Sequence, residues 1–245
     1  MRYPAYFFDL DGTCYRGSEP VPHAANAIQQ LYASGAQIRY GTNNSAADPT
    51  KTCEKLKGMG FPCEPEWVYG SGPTTARYLV REGIESVFVV GEPQLHETLR
   101  GFGLAESDSP EAVVVGICRT FSYELLAEAQ AHILNGAKFI ATNQDPTFPM
   151  EGGALKPGAG SIVAAILTAT SVEPTVIGKP NPQMILDALF DLGLERREML
   201  VVGDREDTDI AAGLAAGCPT WMVLTGVTFE LPGGQDGGDD LRSII

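Results

Sequence analysis

The sequence predicts an α/β protein built on parallel sheets. Short apolar runs of strand length alternate with longer segments of helical periodicity along most of the chain. Several of those runs end in acidic, hydroxyl or amide residues, and open parallel sheets bind ligands just beyond the carboxyl ends of their strands. At 245 residues the chain exceeds a typical domain of about 100–200 residues, so it accommodates one large domain or two small ones.

The elements follow in order. "PAYFFDL" (4–10) is apolar and aromatic throughout and reads as a short buried strand. "PHAANAIQQLYASG" reads as a helix, with Pro22 near its start and Gly35 at its end. "AQIRYGTNN" is a second strand that closes in polar residues, and "DPTKTCEKLKGMG" a second helix, stopped by Gly58 and Gly60. Further strands are expected at "SVFVVGE" (86–92), "EAVVVGI" (111–117), "KFIATN" (138–143) and "PTVIG" (174–178), followed by "EMLVVGD" (198–204) and "TWMVLTG" (220–226). Helices are expected at "PQLHETLRGFG", "SYELLAEAQAHILNG", "GAGSIVAAILTATS", "PQMILDALFDLG" and "TDIAAGLAAG". The tail "LPGGQDGGDDLRSII", rich in Gly and Asp, is expected to be loosely ordered.

Composition narrows the function. Seventeen basic against thirty-one acidic residues give a net charge of −14, which argues against binding nucleic acid or an anionic membrane, since both need a basic face. No stretch approaches the roughly 18 uncharged apolar residues of a membrane span. The first residues reach acid too soon for a signal peptide, so the expected location is the cytoplasm. The five cysteines are irregularly spaced with no CxxC pair, and the three histidines stand far apart. A disulfide framework or a zinc site is therefore not expected.

The residues that follow the strands carry the chemistry. Asp9 and Asp11 follow the first strand, Thr42, Asn43 and Asn44 the second, Lys179 follows "PTVIG", and Asp204, Asp207 and Asp209 follow "EMLVVG". This set suits a hard cation and a phosphate, whereas no glycine-rich nucleotide loop is present. Magnesium takes one or two carboxylates plus substrate oxygens, and Asp9 and Asp204 can supply them. Lys179 can neutralise a phosphoryl group, and Thr42 with the following N–H groups can hydrogen-bond it. A carboxylate held at phosphorus can act as nucleophile, while a second one protonates the leaving oxygen and then deprotonates water. Asp9 takes the first task and Asp11 the second.

The runs "DLDGT", "TNNS", "GKPNPQM" and "GDREDTDIAAG" closely resemble, in this order, the four motifs of the haloacid dehalogenase (HAD) superfamily. The middle region, with "ATNQD" followed by "PGAG", is similar to the cap of the NagD-like or 4-nitrophenylphosphatase-like branch, subfamily IIA, which includes phosphoglycolate and pyridoxal phosphate phosphatases. The resemblance runs from about residue 5 to 228. It implies a Rossmann-like HAD core with a parallel sheet (residues 1–80 and 177–245) and an inserted α/β cap of type C2 (residues 81–176). It also implies a magnesium-dependent phosphatase of small phosphomonoesters. Asp9 maps to the nucleophile, Asp11 to the acid/base, and Thr42, Asn43 and Lys179 to phosphate binding. Asp9, Asp204 and the Asp11 carbonyl map to the Mg2+ ligands, with Asp209 as a supporting acid. Asp207 has no counterpart. The expected partner is a small phosphorylated metabolite, and a homodimer through the cap is the assembly the resemblance allows.

Two features bear on selectivity. Cys118 stands where cap members often carry Asp, and Ala46 and Ala47 follow "TNNS" in place of basic or hydroxyl residues. The loop "TNQDPTFPM" is expected to face the core site, with Asp145 bracing it. Phe148 would point toward the leaving group or, alternatively, pack inside the cap. Two other activities use the same residues: a phosphotransferase with the same aspartyl-phosphate, and a non-catalytic sensor of phosphorylated ligands.

Overall fold

The computed structural model describes residues 3–149, 155–227 and 230–245. The chain forms two units, the first made of Met1–Thr42, Asp48–Tyr69 and Lys179–Ile245, the second of Asn43–Ala47 and Gly70–Gly178.

The first unit is organised by β1 (Ala5–Asp9), which lies between β4 (Gln37–Thr42) and β13 (Met199–Gly203) and is parallel to both. Beyond these strands come β5 (Val68–Gly70) on one side and β14 (Thr220–Val223) and β15 (Gly237–Gly238) on the other, giving six strands. The physical reason for the central place of β1 is its composition. Tyr6 and Phe8 enter the apolar cluster on one face, Ala5 and Phe7 the cluster on the other. A strand apolar on both faces is stable only when both are covered, and each such ring contributes about 1.5–3 kcal/mol on burial. Helix α1 (Ala24–Ala33) buries Ala24, Ala27, Ile28 and Leu31, one stripe at helical spacing. In α2 (Pro49–Gly58), the Asp48 carboxylate caps the helix by accepting from the Lys51 N–H at 2.9 Å. On the opposite face of the sheet, α7 (Gln183–Leu192) and α8 (Ala211–Ala216) cover Phe7 and Val201. A short hairpin of β2 (Tyr15–Arg16) and β3 (Glu19–Pro20) follows the first acidic loop.

The second unit holds a five-stranded, wholly parallel sheet in the order β12 (Thr175–Val176), β9 (Lys138–Ala141), β8 (Ala112–Val115), β6 (Ser86–Val90), β7 (Ala105–Glu106). Alternation again divides two cores. Val87, Val89, Val114 and Ile140 meet α3 (Ser71–Arg81) and α4 (Pro93–Gly101), while Val113, Val115, Phe139 and Ala141 meet α5 (Tyr123–Leu134) and α6 (Ala159–Thr170). A separate antiparallel pair joins β10 (Thr147–Pro149) to β11 (Leu155–Pro157).

Three expectations are corrected. The second unit begins at Gly70 rather than at 81, because Ala76 and Leu79 of α3 pack into the same core as Val87, Leu95 and Leu99. It also takes in Asn43–Ala47 and runs to Gly178 rather than 176. The carboxyl-terminal tail is not loose. Gly237 and Gly238 pair with Met222 and Val223, Leu241 is fully buried in the cluster that contains Phe8, and the Trp221 indole donates to Ser243 Oγ at 3.1 Å. Polar composition concealed it because Leu241 and Ile244, with a short backbone ladder, do the anchoring. Leu241→Ala is therefore expected to cost about 2–5 kcal/mol of unfolding free energy, the range for a leucine truncated in a packed core. Urea denaturation checks this; an unchanged midpoint would mean the tail contributes nothing to the core.

Candidate active site

Parallel register brings the chemistry to one edge of the first sheet. Asp9 ends β1, Thr42 ends β4, and Asp204 directly follows β13. The Lys179 ammonium is buried against this edge and donates to Asp9 Oδ1 at 2.5 Å, to Asp209 Oδ1 at 2.6 Å and to the Gly41 carbonyl at 3.5 Å. An ammonium has three protons to donate, and the two short contacts go to carboxylates. Lys179 thus holds two carboxylates of the site, where the sequence alone aims it only at a phosphoryl group. Asp209 reaches this place through a single turn of π-helix over Glu206–Ile210, and its Oδ2 accepts from the Arg205 N–H at 3.2 Å.

Carboxylate oxygens of Asp9, Asp204 and Asp209 lie within 4.8 Å of one another. Asp204 is almost wholly buried. Its Oδ1 accepts from the Thr13 hydroxyl at 3.3 Å and its Oδ2 from the Val227 N–H at 2.9 Å. Burial, reinforced by Asp209, pushes the Asp204 carboxyl up to about 6. Burial likewise raises Asp9 well above the carboxylate range, with Asp209 adding to it and Lys179 opposing. For Lys179, burial pulls the ammonium down, but Asp209 and Asp9 outweigh it and hold it above its ordinary value. Three carboxylates around one ammonium leave two negative charges in a desolvated place, which is costly unless a cation shares it. Oxygen donors at this spacing fit a small hard divalent ion such as magnesium.

Asp11 stands apart from that trio. It keeps solvent contact, and neighbouring protein atoms desolvate it enough to raise its carboxyl, against the pull of Lys55 and Lys179. The Lys55 ammonium lies 3.5 Å from the centroid of the Tyr15 ring. Asp207 is a surface residue paired with Arg205 at 2.8 Å. Cys14 is buried, its thiol donates to the Asp9 carbonyl at 3.2 Å, and burial raises it, so it packs as a neutral side chain behind the strand end.

Asn43 belongs to the second unit, where its amide donates to the Asp145 carboxylate at 3.1 Å and its carbonyl accepts from Ser71 Oγ and Asn143 Nδ2, both at 2.7 Å. In the loop around Asp145, its N–H donates to Asn143 Oδ1 at 3.1 Å and its carbonyl accepts from the Gly160 N–H at 2.9 Å. The Asp145 carboxylate thus also ties this loop to Asn43. Phe148 pairs with Lys156 in the β10–β11 ladder, and its side chain lies outside the described residues.

Sequence reasoning passed over Thr13, Thr225 and Val227. Thr13 and Val227 touch Asp204, and the Thr225 hydroxyl donates to the Gly12 carbonyl at 2.7 Å. The signal that could have found the last two is "LTGVT" after "TWMV", a polar strand end of the same kind as the others.

Sequence comparison matches residues 6–105 to the family described as haloacid dehalogenase-like hydrolase and residues 176–233 to a second HAD-like hydrolase description. The 5'-nucleotidase YutF of Bacillus subtilis (strain 168) is 38% identical over 228 residues, covering 92% of this chain and 89% of the relative. The chain belongs to the haloacid dehalogenase-like hydrolases. Among solved structures, p-nitrophenyl phosphatase from Archaeoglobus fulgidus is similar with a TM-score of 0.92 at 34% identity, covering 99% of this chain and 98% of that one. Glycerol phosphate phosphatase Rv1692 from Mycobacterium tuberculosis, in complex with magnesium, gives 0.89 at 36% identity, covering 99% of this chain and 77% of that one. Within the family, the chain is a phosphoric monoester hydrolase on the branch of the p-nitrophenyl phosphatases.

The raised Asp204 carboxyl has a measurable consequence. Its folded value of about 6 lies above the ordinary 3.8, so between those values the folded protein binds more protons than the unfolded chain. Stability of the metal-free protein on this account is greatest at low pH and falls as pH rises from about 4 through 6. Asp204→Asn removes that fall. In metal-free buffer the variant should gain on wild type by roughly 3 kcal/mol between pH 4 and pH 7, at about 1.4 kcal/mol for each tenfold difference in proton affinity between the folded and unfolded states. Calorimetric unfolding at the two pH values measures it, and an equal difference at both would contradict the burial of a charged Asp204.

Proposed function

We propose that the protein is a magnesium-dependent phosphatase of small phosphomonoesters that works through an aspartyl-phosphate on Asp9. The observation that carries this reading is the clasp of Lys179 on Asp9 Oδ1 at 2.5 Å beside Asp204 and Asp209. With Oδ1 held, Asp9 Oδ2 is the oxygen left to attack phosphorus. Asp9, Asp204 and the Asp11 carbonyl would hold magnesium, which when bound neutralises charge on the phosphoryl group.

The chain's own residues account for each proton and bond. Asp9 Oδ2 bonds to phosphorus as the ester P–O bond breaks, and Asp11 gives its proton to the departing oxygen. The raised carboxyl of Asp11 favours its carrying that proton. Asp11 then takes a proton from water, whose oxygen bonds to phosphorus as the bond to Asp9 breaks, releasing inorganic phosphate. The Thr42 hydroxyl supplies a hydrogen bond to a phosphoryl oxygen. The activities for which the relatives are named, on nucleotides, glycerol phosphate and p-nitrophenyl phosphate, share only the phosphomonoester, and that is the substrate class proposed.

Asp9→Asn is expected to abolish release of phosphate while leaving the fold intact, because an amide does not attack phosphorus and uncatalysed monoester hydrolysis is extremely slow. A residual rate above about one-tenth of wild type, a barrier change of only about 1.4 kcal/mol, would remove Asp9 as nucleophile. Chelation should silence the wild type and added magnesium restore it.

Asp11→Asn keeps the nucleophile and removes the proton donor. Formation of phosphoryl-enzyme should slow far more for alkyl than for aryl esters, whose leaving oxygens need less protonation. Rapid-quench trapping with one ester of each kind decides it; equal losses would take the acid role from Asp11.

A further inference from the structure

Two loops of the first unit are tied to each other from both sides. The Thr225 hydroxyl donates to the Gly12 carbonyl at 2.7 Å. In return, Arg16 beyond the first loop donates Nε to the Thr225 carbonyl at 2.8 Å, with Nη2 on the same oxygen. Thr225 is buried, whereas Arg16 is exposed and reaches in. The Gly12 N–H donates to the Tyr15 carbonyl at 2.8 Å. Both peptide groups flanking Gly12 are therefore fixed. In a trans peptide the C=O points opposite to the N–H, so the direction of the Asp11 carbonyl is fixed by the same bond.

The other end of the tie bears on Asp204. Two residues past Thr225, the Val227 N–H meets Asp204 Oδ2 at 2.9 Å. Gly12 has φ 94°, in the left-handed region, and a Cβ there would stand 2.6 Å from Asp204 Oδ2. A Cβ on Gly226 would strike the same oxygen. Asp204 thus fits in a slot whose two walls, Gly12 and Gly226, are kept at their spacing by Arg16 and Thr225.

We infer that Arg16 and Thr225 are positioning residues that set the affinity of the site for its divalent cation. They touch neither the cation's carboxylates nor the reacting atoms. They act by holding the Gly12 carbonyl and the Thr225–Val227 loop, and so the two walls around Asp204, in one arrangement. Groups one step behind metal ligands commonly change affinity by about 10–100-fold when removed. The inference rests on the reading that the cation binds at Asp9, Asp204 and the Asp11 carbonyl.

The test uses the metal-stripped full chain titrated with magnesium, followed by calorimetry and by the rise in unfolding temperature. Thr225→Val keeps shape and loses the hydroxyl, Arg16→Met loses the donors, and Arg16→Lys keeps a donor. The first two should weaken magnesium about 10–100-fold, with kcat at saturating magnesium falling much less. Arg16→Lys should recover part of the affinity. Magnesium binding within twofold of wild type in Arg16→Met overturns the inference. So does a loss in Arg16→Met that Arg16→Lys does not lessen, since that would be a general loosening of the fold. Arg16→Met, at an exposed side chain, keeps the test alive if Thr225→Val fails to fold. Asp204→Asn separates the two readings: if it binds magnesium as wild type does, the cation site itself is misplaced.

Discussion

The buried ammonium of Lys179 between Asp9 and Asp209 is the interaction on which the site depends. Carrying a lysine and three carboxylates out of water costs several kcal/mol per ion before any attraction is counted. The chain offsets that cost with charge-assisted bonds at 2.5 and 2.6 Å, which are the strong kind. It does not offset it fully, since Asp204 brings a further carboxylate with no ammonium of its own. Burial, with the charge of Asp209 added, raises Asp9 and Asp204. One arrangement therefore orients the oxygen proposed to react and gathers the carboxylates proposed to hold magnesium.

Holding such a cluster requires strands that do not shift. β1 is buried on both faces, and the register that pairs Ala5 with Met199 and with Gln37 carries through to the carboxyl edge. A slip of one residue would exchange Tyr6 and Phe8 for Ala5 and Phe7 between two cores of different shape, so the packing itself specifies the register. The distances at Asp9 are inherited from that packing. The tail adds to the same core through Leu241.

The two sheets are built alike and end differently. Strands of the first unit run out into Asp9, Thr42 and Asp204. β9 of the second runs out into Thr142, Asn143 and Asp145: the Asn143 amide donates to Thr142 Oγ1 and the Asn43 carbonyl, the Asp145 N–H donates to Asn143 Oδ1, and the Asp145 carboxylate accepts from the Asn43 amide; β12 leads to Lys179. Asn43, adjacent in sequence to Thr42, is structurally a member of the second unit's amide network.

The sequence by itself determined the alternation of strands and helices, the residues at each strand end and the family. These are local properties, written in periodicity and in short motifs such as "DLDGT" and "GDREDTD". Asp9, Thr42, Lys179 and Asp204 were legible because each follows an apolar run. Only the tertiary structure decided that Lys179 grips Asp209 as well as Asp9, 30 and 170 residues away, and that the Asp145 carboxylate meets the Asn43 amide. It also decided that α3 belongs with the second core, that a glycine-rich tail forms an edge strand, and that Arg16 and Thr225, 209 residues apart, close a slot around Asp204. The physical reason is that hydrogen bonds and burial act through space. Their partners are chosen by sheet order and register, and neither is written in any window of the chain.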